Sequence, residues 1–341
     1  MKTTRALLLL LGFFTAEVRA AEPAARFDES GFVEIGGIEQ WIRVVGEDRG
    51  NPVLLMLHGG PGATSAPWVN FFRPWEKHFT IAYWDQRGAG KTYVRHGRGI
   101  APTITIDRIA NDGLEVSTHL AKRFGRQKIF ILGHSWGSLL GVEMARSKPQ
   151  LFHAFIGTGQ VVNTREQEAL GYAEVMRRAR AANHGEAIKE LTEIGAPPYA
   201  ATMTLATERK WASVFAHPSE QMFSSPEELV KVFPADFPPL ERKQRMEGFF
   251  FSNLIVFGEH MDGPMMDVDL ASTATEFAVP VFFVQGEFDA VTPAALVQGY
   301  VEKIKAPQKK LVLLPGDHNA LMALPEAFLS VLLKDVRGLA D

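Results

Sequence analysis

A serine set between two glycines is the first residue whose surroundings could do chemistry. Gly133-His134-Ser135-Trp136-Gly137 has the form G-x-S-x-G and stands between an apolar run and a stretch with helical spacing. In that context the glycines permit a tight strand-to-helix turn, which raises a serine hydroxyl at the carboxyl end of a sheet. The positive end of the following helix also points at this serine. We therefore predict that Ser135 is a nucleophile.

Residues downstream supply the base and the orienting acid that a serine hydroxyl needs. Asp289 follows the apolar run Val281–Gln285, and His318 follows the run Lys310–Leu314, so each lies at the carboxyl end of a predicted strand. The chain order of serine, acid and histidine is the order used by the α/β-hydrolase fold. Two other acidic residues could take the role of Asp289. They are Glu287, its near neighbour, and Asp317, the residue before His318.

A glycine-rich loop follows the apolar run Val53–Leu57 and reads His58-Gly59-Gly60-Pro61-Gly62. A tetrahedral intermediate needs hydrogen-bond donors for its oxyanion, and glycines let a backbone approach a substrate closely. We predict that the donors are the backbone amides of Gly60 and Trp136. His58 is interpreted as structural, because His318 already fills the role of base.

Other chemistries are disfavoured. Asp85–Thr92 ends like a phosphate-binding loop, but Asp85 stands where the motif requires its first glycine. The chain has no cysteine, and its ten histidines are scattered without metal-ligand spacing. The formal net charge of −3 gives no reason to expect a nucleic acid as partner. We therefore expect no cofactor and no metal, and a small molecule or short peptide as substrate; the oligomeric state is left open.

The elements that must position these residues alternate between strands and helices. Each strand-like run is apolar along its length, which is typical of a mostly parallel sheet with helices on both faces. Between 161 and 269 the chain is helix-like and rich in charge. The predicted fold is an α/β-hydrolase core formed by residues 27–160 and 270–341, with a helical cap at 161–269 inserted after the sixth core strand.

The first twenty residues have the features of a targeting segment. Lys2 and Arg5 precede nine apolar residues, Ala6 to Phe14, and small residues surround a predicted cleavage after Ala20. This is the pattern of a secretory signal peptide, since nine apolar residues are far fewer than the roughly 20 needed to span a bilayer. We expect a signal peptide at 1–20, no stable membrane anchor, and export to a periplasm or to the medium.

The assembled motifs, HGGPG at 58–62, DQRGAGKT at 85–92, GHSWGS at 133–138, GEFDAVTP and GDHNA, resemble those of the proline iminopeptidases, also called prolyl aminopeptidases. The resemblance covers roughly residues 32–160 and 279–335. It implies Ser135 as nucleophile, Asp289 and His318 as its partners, and a helical cap whose acidic side chains bind a substrate α-ammonium group. The family's Trp-x-x-Trp-Glu signature is not reproduced at Trp211–Ala216.

Three functions follow as hypotheses. An exported aminopeptidase that releases N-terminal proline through an acyl-enzyme needs cap acids at the serine. The cap glutamates considered are Glu166, Glu168, Glu174 and Glu208, with Glu208 and the nearby Trp211 as first choices for substrate binding. A carboxylesterase or lactonase would instead use an apolar cap lining, for example Phe249–Phe251 and Met265-Met266. A non-catalytic binding protein on this scaffold is the remote alternative.

Overall fold

The computed structural model of the chain describes residues 26–223 and 239–341. The predicted signal peptide lies outside these residues. The strands are β1 (Phe27–Ile35), β2 (Ile38–Gly46), β3 (Val53–Leu57), β4 (Thr80–Asp85), β5 (Ile129–His134), β6 (Phe152–Thr158), β7 (Val281–Gly286) and β8 (Lys309–Leu314). They form one sheet in the order β1-β2-β4-β3-β5-β6-β7-β8. Only the β1–β2 and β2–β4 pairs are antiparallel, so the predicted mostly parallel sheet is confirmed.

The helices are α1 (Gly90–His96), α2 (Ile106–Arg123), α3 (Trp136–Ser147), α4 (Thr164–Ala181), α5 (Gly185–Ile194), α6 (Met203–Val214), α7 (Pro239–Phe257), α8 (Leu270–Thr273), α9 (Ala294–Lys303), α10 (Ala320–Ala323) and α11 (Pro325–Asp335). Helix α2 begins after Thr105, whose side chain accepts a hydrogen bond from the Arg108 amide at 3.1 Å. Such a cap satisfies one amide that the first helical turn leaves without a partner.

The centre of the sheet is buried on both faces. Every residue of β3 and β5 is buried. Leu55 and Ile131 pack in one core with α2, α3 and α9, whereas Leu54 and Phe130 pack in a second core with α10 and α11. Because successive side chains of a strand point to opposite faces, both faces must be apolar here. This explains the continuous apolar runs in the sequence.

The cap helices α4 to α7 lie between β6 and β7, and α8 follows them at the start of the second core segment, where Leu270 packs in the main core. A separate apolar cluster joins α4, α5 and α6 through Val175, Leu191 and Trp211, and it includes Ala290 from the loop after β7. The insertion after the sixth strand is thereby confirmed, and the cap packs directly on a loop of the core. Within the described ranges, no helix is both long and apolar enough to cross a membrane.

Candidate active site

Ser135 lies in a strained turn between β5 and α3. Its backbone has φ 55° and ψ −124°, and its amide donates to the carbonyl of Thr158 at 3.0 Å. A Cβ at Gly137 would come within 2.1 Å of the Leu57 carbonyl oxygen, and one at Gly133 within 2.3 Å of the Gly137 oxygen. The two glycines are therefore required by close packing around the turn. Ser135 itself stays partly exposed.

His318 follows β8 and lies beside the serine turn. The carbonyl oxygen of His318 accepts a hydrogen bond from Nε2 of His134, the residue before Ser135, at 2.9 Å. The two imidazole rings have centroids 5.0 Å apart. A Cβ at Gly159, after β6, would lie 2.9 Å from His318 Cε1. The ends of β5, β6 and β8 thus converge on this ring, which places His318 next to Ser135.

Asp289 orients the His318 ring. Its Oδ2 accepts from His318 Nδ1 at 3.0 Å, from the Thr292 hydroxyl at 2.6 Å and from Gln285 Nε2 at 2.8 Å. Its Oδ1 accepts the backbone amides of Val291 and Thr292, each at 2.8 Å. The carboxylate is therefore fixed by five donors. With Nδ1 donating to Asp289, Nε2 is the nitrogen of His318 that can receive a serine proton.

The environments of Asp289 and His318 shift the pKa values of the two side chains in opposite directions. Burial would raise the pKa of Asp289, but the charge and hydrogen bond of His318, helped by Thr292, bring it below its ordinary value. Burial would lower the pKa of His318, but Asp289 outweighs it and raises the pKa above the ordinary 6.5. This is the pattern of a carboxylate that stabilises an imidazolium.

The competing acids have other surroundings. Glu287 is exposed at the end of β7. The carboxylate of Asp317 accepts from Arg178 Nη1 at 3.0 Å and from the backbone amide of His217. Among the carboxylates that the structure describes, the one bonded to the His318 ring is that of Asp289.

The predicted oxyanion donors lie on either side of the serine. Trp136 is the first residue of α3, so its amide makes no hydrogen bond within the helix. Gly60 has φ 114°, and a Cβ on its neighbour Gly59 would lie 3.1 Å from Ser135 Cβ. The loop of Gly60 therefore runs directly past the serine. Two backbone amides at such a place can stabilise an oxyanion.

His58 is fully buried and holds this loop from beneath. Its Nδ1 donates to the Gly59 carbonyl at 2.8 Å, and its Nε2 accepts the Gln86 amide at 3.2 Å. Burial lowers the pKa of His58, which favours the neutral ring that this bonding requires. The side-chain oxygen of Gln86 in turn accepts a hydrogen bond from the Trp136 indole at 3.0 Å, which links the segment 85–92 to the serine turn. These contacts agree with a structural role for His58.

Two cap glutamates, Glu168 and Glu208, form a buried acidic cluster around Arg209. Arg209 donates to Glu168 Oε1 at 2.6 Å and to Glu208 Oε2. Both carboxylates are at most 2% exposed. The remaining oxygens, Glu168 Oε2 and Glu208 Oε1, are buried without a hydrogen-bond partner within the described residues, as is the Tyr199 hydroxyl. The guanidinium of Arg209 therefore satisfies one oxygen of each carboxylate and leaves the other oxygen of each able to accept a hydrogen bond.

The acidic cluster lies near the predicted triad. A Cβ at Gly171 would be 2.4 Å from the Ala290 carbonyl oxygen and 3.7 Å from Glu208 Oε1, so Glu208 lies beside the loop that carries Asp289. Burial raises the pKa of Glu208, while the charges of Arg209 and His318 oppose that rise.

The other predicted cap residues lie elsewhere. Glu166 is exposed in the first turn of α4. Glu174 pairs with Arg177 and Arg178. Trp211 is packed within the cap, and its indole donates to Glu190 at 2.8 Å. In the described structure these three side chains are therefore committed to solvent or to partners within the cap.

Arg209, Tyr199 and Thr292 were not predicted from the sequence. The spacing of Asp289 and Thr292 was a usable signal, because an aspartate commonly accepts amides two and three residues later. Arg209 and Tyr199 carry no such local signal, since their roles depend on how α4 and α6 meet.

The fold and this arrangement together define a hydrolase of the α/β type. The chain belongs to the alpha/beta hydrolase fold family, whose pattern matches residues 52–323. The "Probable aminopeptidase YbaC" of Bacillus subtilis (strain 168) is 27% identical over 312 residues, covering 89% of this chain and 95% of that protein. The proline iminopeptidase of Neisseria gonorrhoeae is 34% identical over 125 residues, 36% of each chain.

A solved structure gives the same picture of the fold. The crystal structure of the proline iminopeptidase of Mycobacterium smegmatis superposes with a TM-score of 0.67 at 20% identity, over 92% of this chain and 99% of that one. The predicted resemblance to proline iminopeptidases is confirmed.

Proposed function

We propose that this chain is a serine aminopeptidase that releases an N-terminal proline or a similar residue. The observation that carries the proposal is a pair of buried carboxylate oxygens, one each from Glu168 and Glu208, that have no hydrogen-bond partner among the described residues; that of Glu208 lies beside the loop of Asp289. A free α-ammonium group carries the donors that these oxygens lack. The aminopeptidase and proline iminopeptidase relatives support the same activity.

The reaction would run through an acyl-enzyme. Ser135 Oγ attacks the scissile carbonyl carbon while His318 Nε2 takes the hydroxyl proton, and the amides of Gly60 and Trp136 stabilise the oxyanion. The C–N bond then breaks as His318 gives that proton to the leaving amine. Water attacks the acyl-Ser135 ester, with His318 again as base, and the Ser135 oxygen recovers its proton as the acid product leaves.

The cap glutamates would provide the selectivity. When both carboxylates are ionised, Glu168, Glu208 and Arg209 carry one net negative charge in a buried setting, where charge pairing is much stronger than in water. A free α-ammonium is attracted there, whereas an N-acetylated terminus brings no charge and leaves the carboxylates desolvated without a partner. Discrimination between free and blocked substrates is therefore the property that defines this function.

An esterase is the competing function. Of its predicted apolar lining, Phe249 lies against the glycine-rich loop, where a Cβ at Gly62 would be 2.9 Å from the Phe249 Cα, but Met265, Met266 and Phe250 have other surroundings. Met265 and Met266 are buried in the main core, and Phe250 is exposed on α7. The deciding assay compares prolyl arylamide, N-acetylprolyl arylamide and a short acyl ester on the purified protein. We expect turnover of the free prolyl substrate and little of the acetylated one. Equal cleavage of the two, or turnover of the ester alone, would contradict the aminopeptidase.

Matched variants test the acidic cluster itself. Glu208→Gln should raise KM for the free prolyl substrate about 10- to 100-fold, the size expected when a charged hydrogen bond is lost. Glu166→Gln, on the exposed side of α4, is the control and should leave KM unchanged. An unaltered KM in folded Glu208→Gln would remove the cluster from substrate binding.

A further inference from the structure

The loop that carries His318 is held from the cap by a third buried glutamate, Glu220. Glu220 lies in the short 3₁₀ turn Pro218–Phe223 and is 1% exposed. Its Oε1 accepts the amide of Asp317 at 2.6 Å, and its Oε2 accepts the amide of Asn319 at 2.9 Å. The two oxygens of one cap carboxylate therefore bind the backbone on both sides of His318.

A cap arginine, Arg178, also contacts the loop of His318 and, in addition, the loop of Asp289. Arg178 of α4 donates to Asp317 Oδ1 at 3.0 Å and to the carbonyl oxygen of Phe288. Phe288 directly precedes Asp289, and Asp317 directly precedes His318. Through Arg178 the cap also connects the two loops that supply the acid and the base.

We propose that Glu220 is a positioning residue for His318, so that the cap sets the geometry of the base as well as covering the site. The inference rests on the proposed function, because it takes His318 as the base that activates Ser135. Hydrogen bonds from two amides to one carboxylate are charge-assisted and directional. They fix the backbone of His318 from both sides, while Asp289 fixes its ring.

The position of Glu220 also gives it an electrostatic effect on the base. Burial raises the pKa of Glu220 to about 7, although the amides of Asn319 and Asp317 oppose that rise. In its charged form Glu220 raises the pKa of His318, in addition to the larger effect of Asp289. Because His318 must be neutral to accept a proton, removing this charge should move the acid limb of kcat/KM to lower pH.

Other charged groups face these two residues. The groups whose charges act on His318 from neighbouring elements are Asp289, Glu208, Arg209 and His134. Asp317 faces Glu220 and is itself paired with Arg178. The variants that test the proposal leave all of these unchanged.

The test is Glu220→Gln, which keeps the shape of the side chain but loses the charge and one acceptor oxygen. We expect kcat to fall about 10- to 100-fold with little change in KM, as when a catalytic group is misplaced. We also expect the acid limb of kcat/KM to shift down by about half a pH unit or more. Glu166→Gln is the control for loss of a cap glutamate, and circular dichroism checks the fold.

Glu220→Asp keeps the charge and both oxygens on a shorter stem, so the acid limb should return towards that of the wild type. It also provides the measurement if Glu220→Gln does not fold, since kcat should still fall by about threefold or more. A wild-type kcat and pH profile in folded Glu220→Gln would overturn the proposal; where only Glu220→Asp folds, a wild-type kcat in that variant would overturn it.

Ser135→Ala and His318→Ala separate this inference from the proposed function. If both lose turnover while Glu220→Gln keeps the wild-type profile, only the role of Glu220 fails. If Ser135→Ala or His318→Ala retains turnover, the proposed function itself fails.

Discussion

At the scale of single residues, two opposing effects act on the pKa of His318. Burial would lower the pKa of His318, and the carboxylate of Asp289 raises it by more. The bond between them also holds the proton on Nδ1, which leaves Nε2 free to act. Activity that depends on neutral His318 should therefore decline as the pH falls through a pKa above 6.5.

Replacing the acid tests this arrangement. Asp289→Asn should lower kcat by about 10⁴-fold, because an amide at this position permits the wrong tautomer of the histidine. Any residual activity should have its acid limb at lower pH than that of the wild type, since the charge that raised the pKa of His318 is gone. Steady-state kinetics across pH on a prolyl arylamide measure both effects.

Asp317→Asn is the matched control, because Asp317 adjoins His318 in sequence while its carboxylate bonds to Arg178 and His217. Its loss of kcat should be far smaller than that of Asp289→Asn. The reverse ranking would mean that Asp317 is the orienting acid.

The placement of Ser135, Asp289 and His318 near one another could be predicted, because each was expected at the carboxyl end of a strand. Ser135 directly follows β5, and Asp289 and His318 lie in the loops after β7 and β8; parallel strands bring such residues to one edge of a sheet. Glu220 and Arg209 could not be found in this way. Their partners are far away in sequence, and the contacts exist only once the cap has packed on the core.

At the scale of elements, the strands and helices could be predicted closely where burial dictates the pattern. The strand β3 has the bounds of the apolar run Val53–Leu57. The strand β7 ends one residue after the run Val281–Gln285, and β8 begins one residue before the run Lys310–Leu314. The short helix α1 was missed, because Gly90–His96 is polar and resembles a phosphate-binding loop. Its first turn is instead held by Asp85, whose Oδ2 accepts the Lys91 amide at 2.7 Å.

The contact between α3 and β3 gives a prediction at this scale. Gly137→Ala should destabilise the protein by about 1–3 kcal/mol or more, because the new Cβ would meet the Leu57 backbone oxygen at 2.1 Å. Denaturant unfolding followed by circular dichroism measures the free energy of unfolding.

The control is Gly299→Ala in helix α9, where an added Cβ meets nothing within 4 Å. This change should stabilise the protein by about 0.5–1 kcal/mol, since alanine restricts the unfolded chain more than glycine does. Equal stability of the two variants would show that the close approach of α3 to β3 does not constrain residue 137.

At the scale of the whole molecule, cap and core act as one unit at the site. From the cap, Glu220 and Arg178 contact the loops that carry Asp289 and His318. Helix α7 contacts the glycine-rich loop through Asn253, which donates to the Pro61 carbonyl at 2.8 Å. The position of the cap in the chain could be predicted from its change in composition. Its contacts could not, since charge-rich helices give no indication of which face they bury.

Export stays a prediction at this scale. Expression in a bacterium should give a mature protein that begins at Ala21, because Val18 and Ala20 provide the small residues that signal cleavage needs. Mass spectrometry of the periplasmic fraction identifies the N-terminus. Ala20→Asp is the control and should block cleavage. Full-length wild-type protein in the cytoplasm would contradict export.

The central claim is that Ser135 is the nucleophile, and covalent labelling tests it most directly. A fluorophosphonate should modify the wild-type protein at Ser135, located by peptide mass spectrometry, and should abolish hydrolysis of prolyl arylamide. Ser147→Ala, at the exposed end of the same helix, should label and turn over like the wild type. Ser135→Ala should do neither while keeping its fold, whereas undiminished labelling or turnover in that variant would contradict the account.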